Sequence, residues 1–154
     1  MSSDLTRARL SQEFEQALRP LMAQRVFPKG VTIYRHGAVA GGLYLINSGS
    51  VRVLLPASDN QNQLLEVAGE GTILGLSETL SGENYRVSVE ADEQTNASFV
   101  TRKDLVELLN GNREFSMQVV RMLSDSLHGL YHRFRSVSAH PGRPRRRTPN
   151  QGLG

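Results

Sequence analysis

Between residues 25 and 101 glycine recurs so often that no regular element there can be long: Gly30, Gly37, Gly41, Gly42, Gly49, Gly69, Gly71, Gly75 and Gly82 cut the chain into short pieces. The pieces between them, residues 31–34, 43–46, 51–55, 64–67, 72–74, 85–91 and 97–100, are mostly β-branched, aromatic or leucine-rich. Such residues suit a pleated, half-buried surface better than a helix. Seven or eight short strands at hairpin spacing predict a mainly β fold, a jelly-roll-like barrel with helices confined to its flanks.

The flanks carry helical periodicity. Leu10, Phe14, Leu18 and Leu21 recur at spacings of four, four and three, with Ser11 available as an N-cap, which predicts a short amphipathic helix ending before Phe27 and Pro28. Residues 1–9 lack the pattern and are expected to be flexible. Thr101 and Asp104 form a capping pair ahead of a short helix that Asn110 and Gly111 stop. Asn112 can then cap a long helix over 113–137, roughly 37 Å at 1.5 Å per residue. Its later part places Leu123, Leu127, Leu130, Phe134 and Val137 on one seam. An apolar stripe of that length predicts a homodimer formed by paired helices. The chain thus divides into residues 1–9, a β-roll with its helices over 10–111, the long helix over 112–138 and a tail over 139–154.

The 154 residues are 38% hydrophobic, enough for one domain with a core, and carry a net charge of +3. That charge is unevenly placed: residues 133–154 hold six arginines and no acid, leaving a net −3 on the preceding body. After Ser138 the composition is polar, with three Pro and three Gly, so the tail is expected to be disordered. Arg143, Arg145, Arg146 and Arg147 on such an arm imply weak, sequence-blind contact with nucleic acid.

Several chemistries find no support. The absence of cysteine excludes disulfides, thiolate metal sites and a cysteine nucleophile. The first 25 residues contain no long apolar run, so neither a signal peptide nor a membrane span is read there, and a cytoplasmic protein is expected. His128 and His132 have metal-ligand spacing but lack a third ligand, and His36 stands in a loop, so no metal is expected. Gly69–Gly75 is one residue too long for a dinucleotide fingerprint and reads as turn glycines. Asn96 opens a glycosylation sequon that, without a secretory signal, is read as chance. No acid–base or nucleophile constellation is seen, so neither catalysis nor a cofactor is expected.

One stretch goes further. Residues 26–53 read V-F-P-K-G-V-T-I-Y-R-H-G-A-V-A-G-G-L-Y-L-I-N-S-G-S-V-R-V, with a Gly-led strand, a second Gly, Leu-Tyr-Leu-Ile and then Ser-Gly-Ser-Val before a strand. This closely resembles the opening of the cyclic-nucleotide-binding domain of the catabolite activator (CRP/FNR) family of bacterial regulators, and the order of elements extends the likeness over residues 12–137. The resemblance implies a β-roll sensor with a short N-terminal helix and a long dimerising helix, acting in signal-dependent transcription regulation with a cyclic nucleotide or other small effector. In the family a cassette holds the ligand: a Gly-Glu-Leu start, a short helix, a Gly and then an Arg that pairs with the cyclic phosphate. The corresponding residues here are Gly75, Leu76, Ser77 and Glu78, then Tyr85, Arg86 and Val87. Leu76 falls where the family has Glu and Tyr85 where it has Arg, so cyclic-nucleotide binding is expected to be weak, altered or absent. Arg86 is no simple substitute, because Tyr85, Val87, Val89 and Ala91 form the apolar set of an alternating strand and Arg86 faces the other way. The family continues into a helix-turn-helix domain, and 17 Pro- and Gly-rich residues after Val137 are too few for one. Sequence-specific DNA binding by this chain is therefore not expected. The alternative is the effector half of a transcription regulator whose DNA-binding half is truncated or lost.

Overall fold

A computed structural model describes residues 12–58 and 61–124. Within them the chain forms α1 (Gln12–Leu18), a 3-10 turn (Arg19–Leu21), and strands β1 (Ala23–Phe27), β2 (Thr32–Tyr34), β3 (Gly42–Ser48), β4 (Val51–Pro56), β5 (Asn62–Ala68) and β6 (Ile73–Leu74). Then follow α2 (Leu76–Ser81), β7 (Ser88–Ala91), β8 (Thr95–Thr101) and α3 (Arg102–Gly111). A further helix, α4, is described over residues 113–124. The strands make two antiparallel four-stranded sheets, in the orders β1-β8-β3-β6 and β2-β7-β4-β5. This is the expected β-roll.

Strand alternation explains how one sheet serves two cores. In β3, Tyr44 and Ile46 face the roll interior and pack with Ile33, Tyr34, Val51, Val53, Leu74, Val87 and Val89. Leu43 and Leu45 point the opposite way, onto a layer made by Phe14 and Leu18 of α1, Leu105 of α3 and Phe115 and Val119 of α4. Thus Leu-Tyr-Leu-Ile is buried on both faces, which is why it reads as a continuous apolar run rather than an alternating one. Phe14 stacks on Phe115 at 5.0 Å, pinning α1 against α4.

The caps at Thr101 and Asn112 form as expected, and Ser11, the expected cap of the first helix, lies outside the described residues. Thr101 Oγ1 accepts the backbone N–H of Asp104 at 3.1 Å, and Asn112 Oδ1 accepts that of Phe115 at 2.9 Å. The N-terminal segment differs. Its helix gives way after Leu21, and residues 23–27 are a strand paired along β8, with Arg25 opposite Ala97. Pro20 inside the 3-10 turn cannot continue an α-helical hydrogen-bond ladder, and the open edge of β8 supplies partners for the chain beyond it. Strand β7 starts at Ser88, later than the expected 85, because Tyr85 and Val87 belong to an irregular lead-in. Among the described residues no helix is long and apolar enough to cross a membrane.

Candidate functional site

The cassette segment runs from β6 through α2 to β7. Gly75 adopts φ 79°, which only glycine takes freely, and turns the chain into α2. A Cβ there would lie 2.9 Å from the ring of Tyr85, so the same glycine makes room for that ring. Gly82 ends α2, its N–H donating to Glu78 O. Arg102 Nε donates to Thr79 O at 2.9 Å, tying the start of α3 to the last turn of α2.

The side chains of this segment separate onto different faces. Leu76, which the resemblance sets against a Glu, packs into the helix-side core with Leu105. Ser77 is half-buried. Glu78 is 2% exposed, and its Oε2 accepts the backbone N–H of Arg86 at 3.2 Å. Tyr85, which the resemblance sets against an Arg, is 5% exposed. Its hydroxyl donates to Gly42 O at 2.5 Å, and its ring stacks on Tyr34 with centroids 3.8 Å apart. Arg86 is exposed, its guanidinium 2.7 Å from the Glu83 carboxylate. Val87 returns to the interior.

The phenols are electrostatically perturbed. Burial pushes Tyr85 up to about 12, opposed by its hydrogen bond to Gly42. Burial raises Tyr34 well above the usual tyrosine value, and the negative charge of Glu78 adds to it. Both effects disfavour a second anion beside that carboxylate. The Tyr34 hydroxyl has no hydrogen-bond partner among the described residues.

The opposite wall holds residues that the sequence reading passed over. Arg25 on β1 pairs with Ala97, which itself pairs with Ile46, so Arg25 shares their inward-facing side. Its guanidinium carbon sits 4.2 Å from the centroid of the Phe99 ring. Phe99 contacts Tyr44 at 4.8 Å, Phe27 meets Tyr44 edge-on at 6.0 Å, and Tyr34 lies 5.9 Å from Tyr44. Burial raises the Tyr44 hydroxyl, and the charge and hydrogen bond of Arg25 beside it partly offset the rise. Reading Ala23–Phe27 as a strand would have exposed the signal, since Arg25 and Phe27 then fall on one face.

Of the other residues singled out, Leu123 is half-buried and packs against the helix-side core, whereas Met117 and Val120 of the same helix are 46% and 52% exposed. Leu127, Leu130, Phe134, Val137, His128, His132, Arg143, Arg145, Arg146 and Arg147 lie outside the described residues. Asn96 sits within β8 and donates to Ser48 Oγ at 2.8 Å. Among the described residues no group of three metal-ligating side chains converges.

Residues 24–112 match the cyclic nucleotide-binding domain family. The chain is 29% identical over 86 residues to the cyclic AMP receptor protein of Thermus thermophilus, a match covering 56% of this chain and 40% of that one. The chain thus spans less than half the length of that relative. Among solved structures, the Thermus thermophilus catabolite activator protein aligns with a TM-score of 0.73 at 23% identity, over 84% of this chain and 61% of that one. The N-terminal domain of a transcriptional regulator from Streptomyces coelicolor A3(2) aligns with a TM-score of 0.68 at 21% identity, over 79% and 86% respectively. With the family matched over most of the described residues, and with two antiparallel sheets closed over one aromatic core, the chain belongs to the cyclic nucleotide-binding domain family and has the β-roll fold of catabolite-activator-type sensors.

Proposed function

We propose that the protein is a cytoplasmic, non-catalytic sensor domain that works as a homodimer and binds ordinary cyclic nucleotides poorly. The observation that carries this reading is Tyr85: a phenol, bonded to Gly42 O, occupies the place where the family sets an arginine against the cyclic phosphate. Replacing a guanidinium by a phenol removes a bidentate, charged partner. The neighbouring Arg86 is turned outward onto Glu83, and the buried carboxylate of Glu78 repels rather than attracts a phosphate. Calorimetric titration with cyclic AMP and cyclic GMP should give no saturable heat in the micromolar range. Affinity at or below micromolar would overturn the reading.

The dimer is supported by the stripe that begins with the exposed Met117 and Val120 and continues in sequence through Leu127 and Phe134. A second reading, the effector half of a longer transcription regulator, is favoured by the chain's spanning only 40% of its Thermus relative. A natural reading frame continuing into helix-turn-helix sequence would decide for it.

A further inference from the structure

The roll interior has one feature that the cassette does not explain. Arg25 points inward from an edge strand yet remains exposed, and the ion pairs seen among the described residues all lie elsewhere. It stands at the rim of an aromatic wall made by Phe27, Tyr44 and Phe99, with Tyr34 deeper inside. We propose that Arg25, with the aromatic wall of β1, β3 and β8, is a binding site for small planar aromatic carboxylates. This assignment rests on the sensor reading above and names the ligand class of the same roll.

The chemistry follows from the groups present. A guanidinium without a carboxylate partner among the described residues, its carbon 4.2 Å from a ring centroid, has fork donors to offer a planar oxyanion, and the aromatic faces beside it favour a flat apolar body. The Tyr44 hydroxyl next to the guanidinium offers a donor for the second carboxylate oxygen. The cyclic phosphate of a 3′,5′-cyclic nucleotide carries one negative charge, as a carboxylate does, but it brings a ribose hydroxyl that finds no free acceptor in the cassette, where Leu76 is turned into the helix-side core and Glu78 is engaged by the Arg86 amide. A flat aromatic carboxylate, with no sugar to satisfy, needs only the one fork, the one hydroxyl and the π-wall. The competing account is that Arg25 is an inward-pointing charge that guards an exposed sheet edge against pairing with another chain.

Calorimetric titration of the whole chain with benzoate tests the assignment, with benzamide and cyclohexanecarboxylate as uncharged and non-planar controls. Benzoate should bind saturably, and both controls at least tenfold more weakly. Arg25→Gln should weaken benzoate at least tenfold and Arg25→Lys by less, with both variants still melting cooperatively as folded proteins. No benzoate binding, equal binding by Arg25→Gln, or equal binding of either control would overturn it and leave the edge-guard role. A parallel titration with cyclic AMP separates the two claims. Absent benzoate binding with silent cyclic AMP removes this site alone, whereas tight cyclic AMP binding removes the poor-nucleotide reading whatever benzoate does.

Discussion

Tyr85 shows how a single side chain can turn a ligand wall into core. Its ring is stacked and its hydroxyl bonded within the protein, so Tyr85→Phe keeps the packing and leaves Gly42 O without that donor. Loss of a buried hydrogen bond of this kind costs about 1 kcal/mol, to be read from denaturant midpoints. The same phenols set an alkaline limit. Below about pH 10, the ordinary tyrosine value, Tyr34, Tyr44 and Tyr85 are neutral whether folded or unfolded, and their contribution to stability is constant. Above it the unfolded chain releases protons that the folded chain retains, because all three are raised, Tyr85 to about 12. Stability should therefore fall as pH climbs from about 10 toward 12. Denaturation midpoints followed across that range, alongside the ultraviolet tyrosinate signal, check the direction, and Tyr85→Phe should flatten the decline.

At the scale of elements, the helix layer depends on its caps because α2 and α3 are short. Thr101 supplies the side-chain acceptor that closes the first turn of α3, and through Arg102 that turn also holds the last turn of α2. Thr101→Ala should cost about 1 kcal/mol and raise amide exchange in both helices together. Exchange confined to α3 would show that the Arg102 link does not couple them. The β3–β4 turn depends similarly on Gly49, whose φ is 91° and whose Cβ would fall 2.5 Å from Gln94 O. No side chain fits there without moving the backbone that starts β8.

For the whole molecule, the proposed dimer would form through α4 and the sequence that follows it. Leu123 belongs to the monomer's own core, while Met117 and Val120 face outward, so substitutions along one helix should separate folding from assembly. Full burial of an apolar side chain is worth about 1.5–3 kcal/mol. Val120→Lys and Leu127→Lys should therefore shift dimer to monomer in light scattering while melting as a folded protein, whereas Leu123→Lys should lower the melting temperature. A wild-type monomer at tens of micromolar would remove the dimer from the account. Deleting residues 140–154, with their four arginines, should reduce low-salt affinity for any duplex equally and spare nothing sequence-specific. Unchanged binding would show that the tail has no such role.

Local pattern carried much of this. Glycine punctuation and short β-branched runs determined a β-roll, capping residues placed α3 and the start of α4, and the period-two alternation after Asn84 already turned Arg86 outward and Tyr85 inward. Such signals are legible because a turn, a cap and a pleat depend on residues a few positions apart. What the tertiary structure alone decided was long-range. Residues 23–27 became a strand because β8 offered them an open edge, far away in sequence, and that register carried Arg25 into the roll opposite Ala97. The burial of Glu78 between Tyr34 and the Arg86 amide, and the division of α4 into a core face and an outward face, likewise arose from packing between elements. No spacing within a single element specifies which face of an edge strand, or which side of a helix, another element will cover.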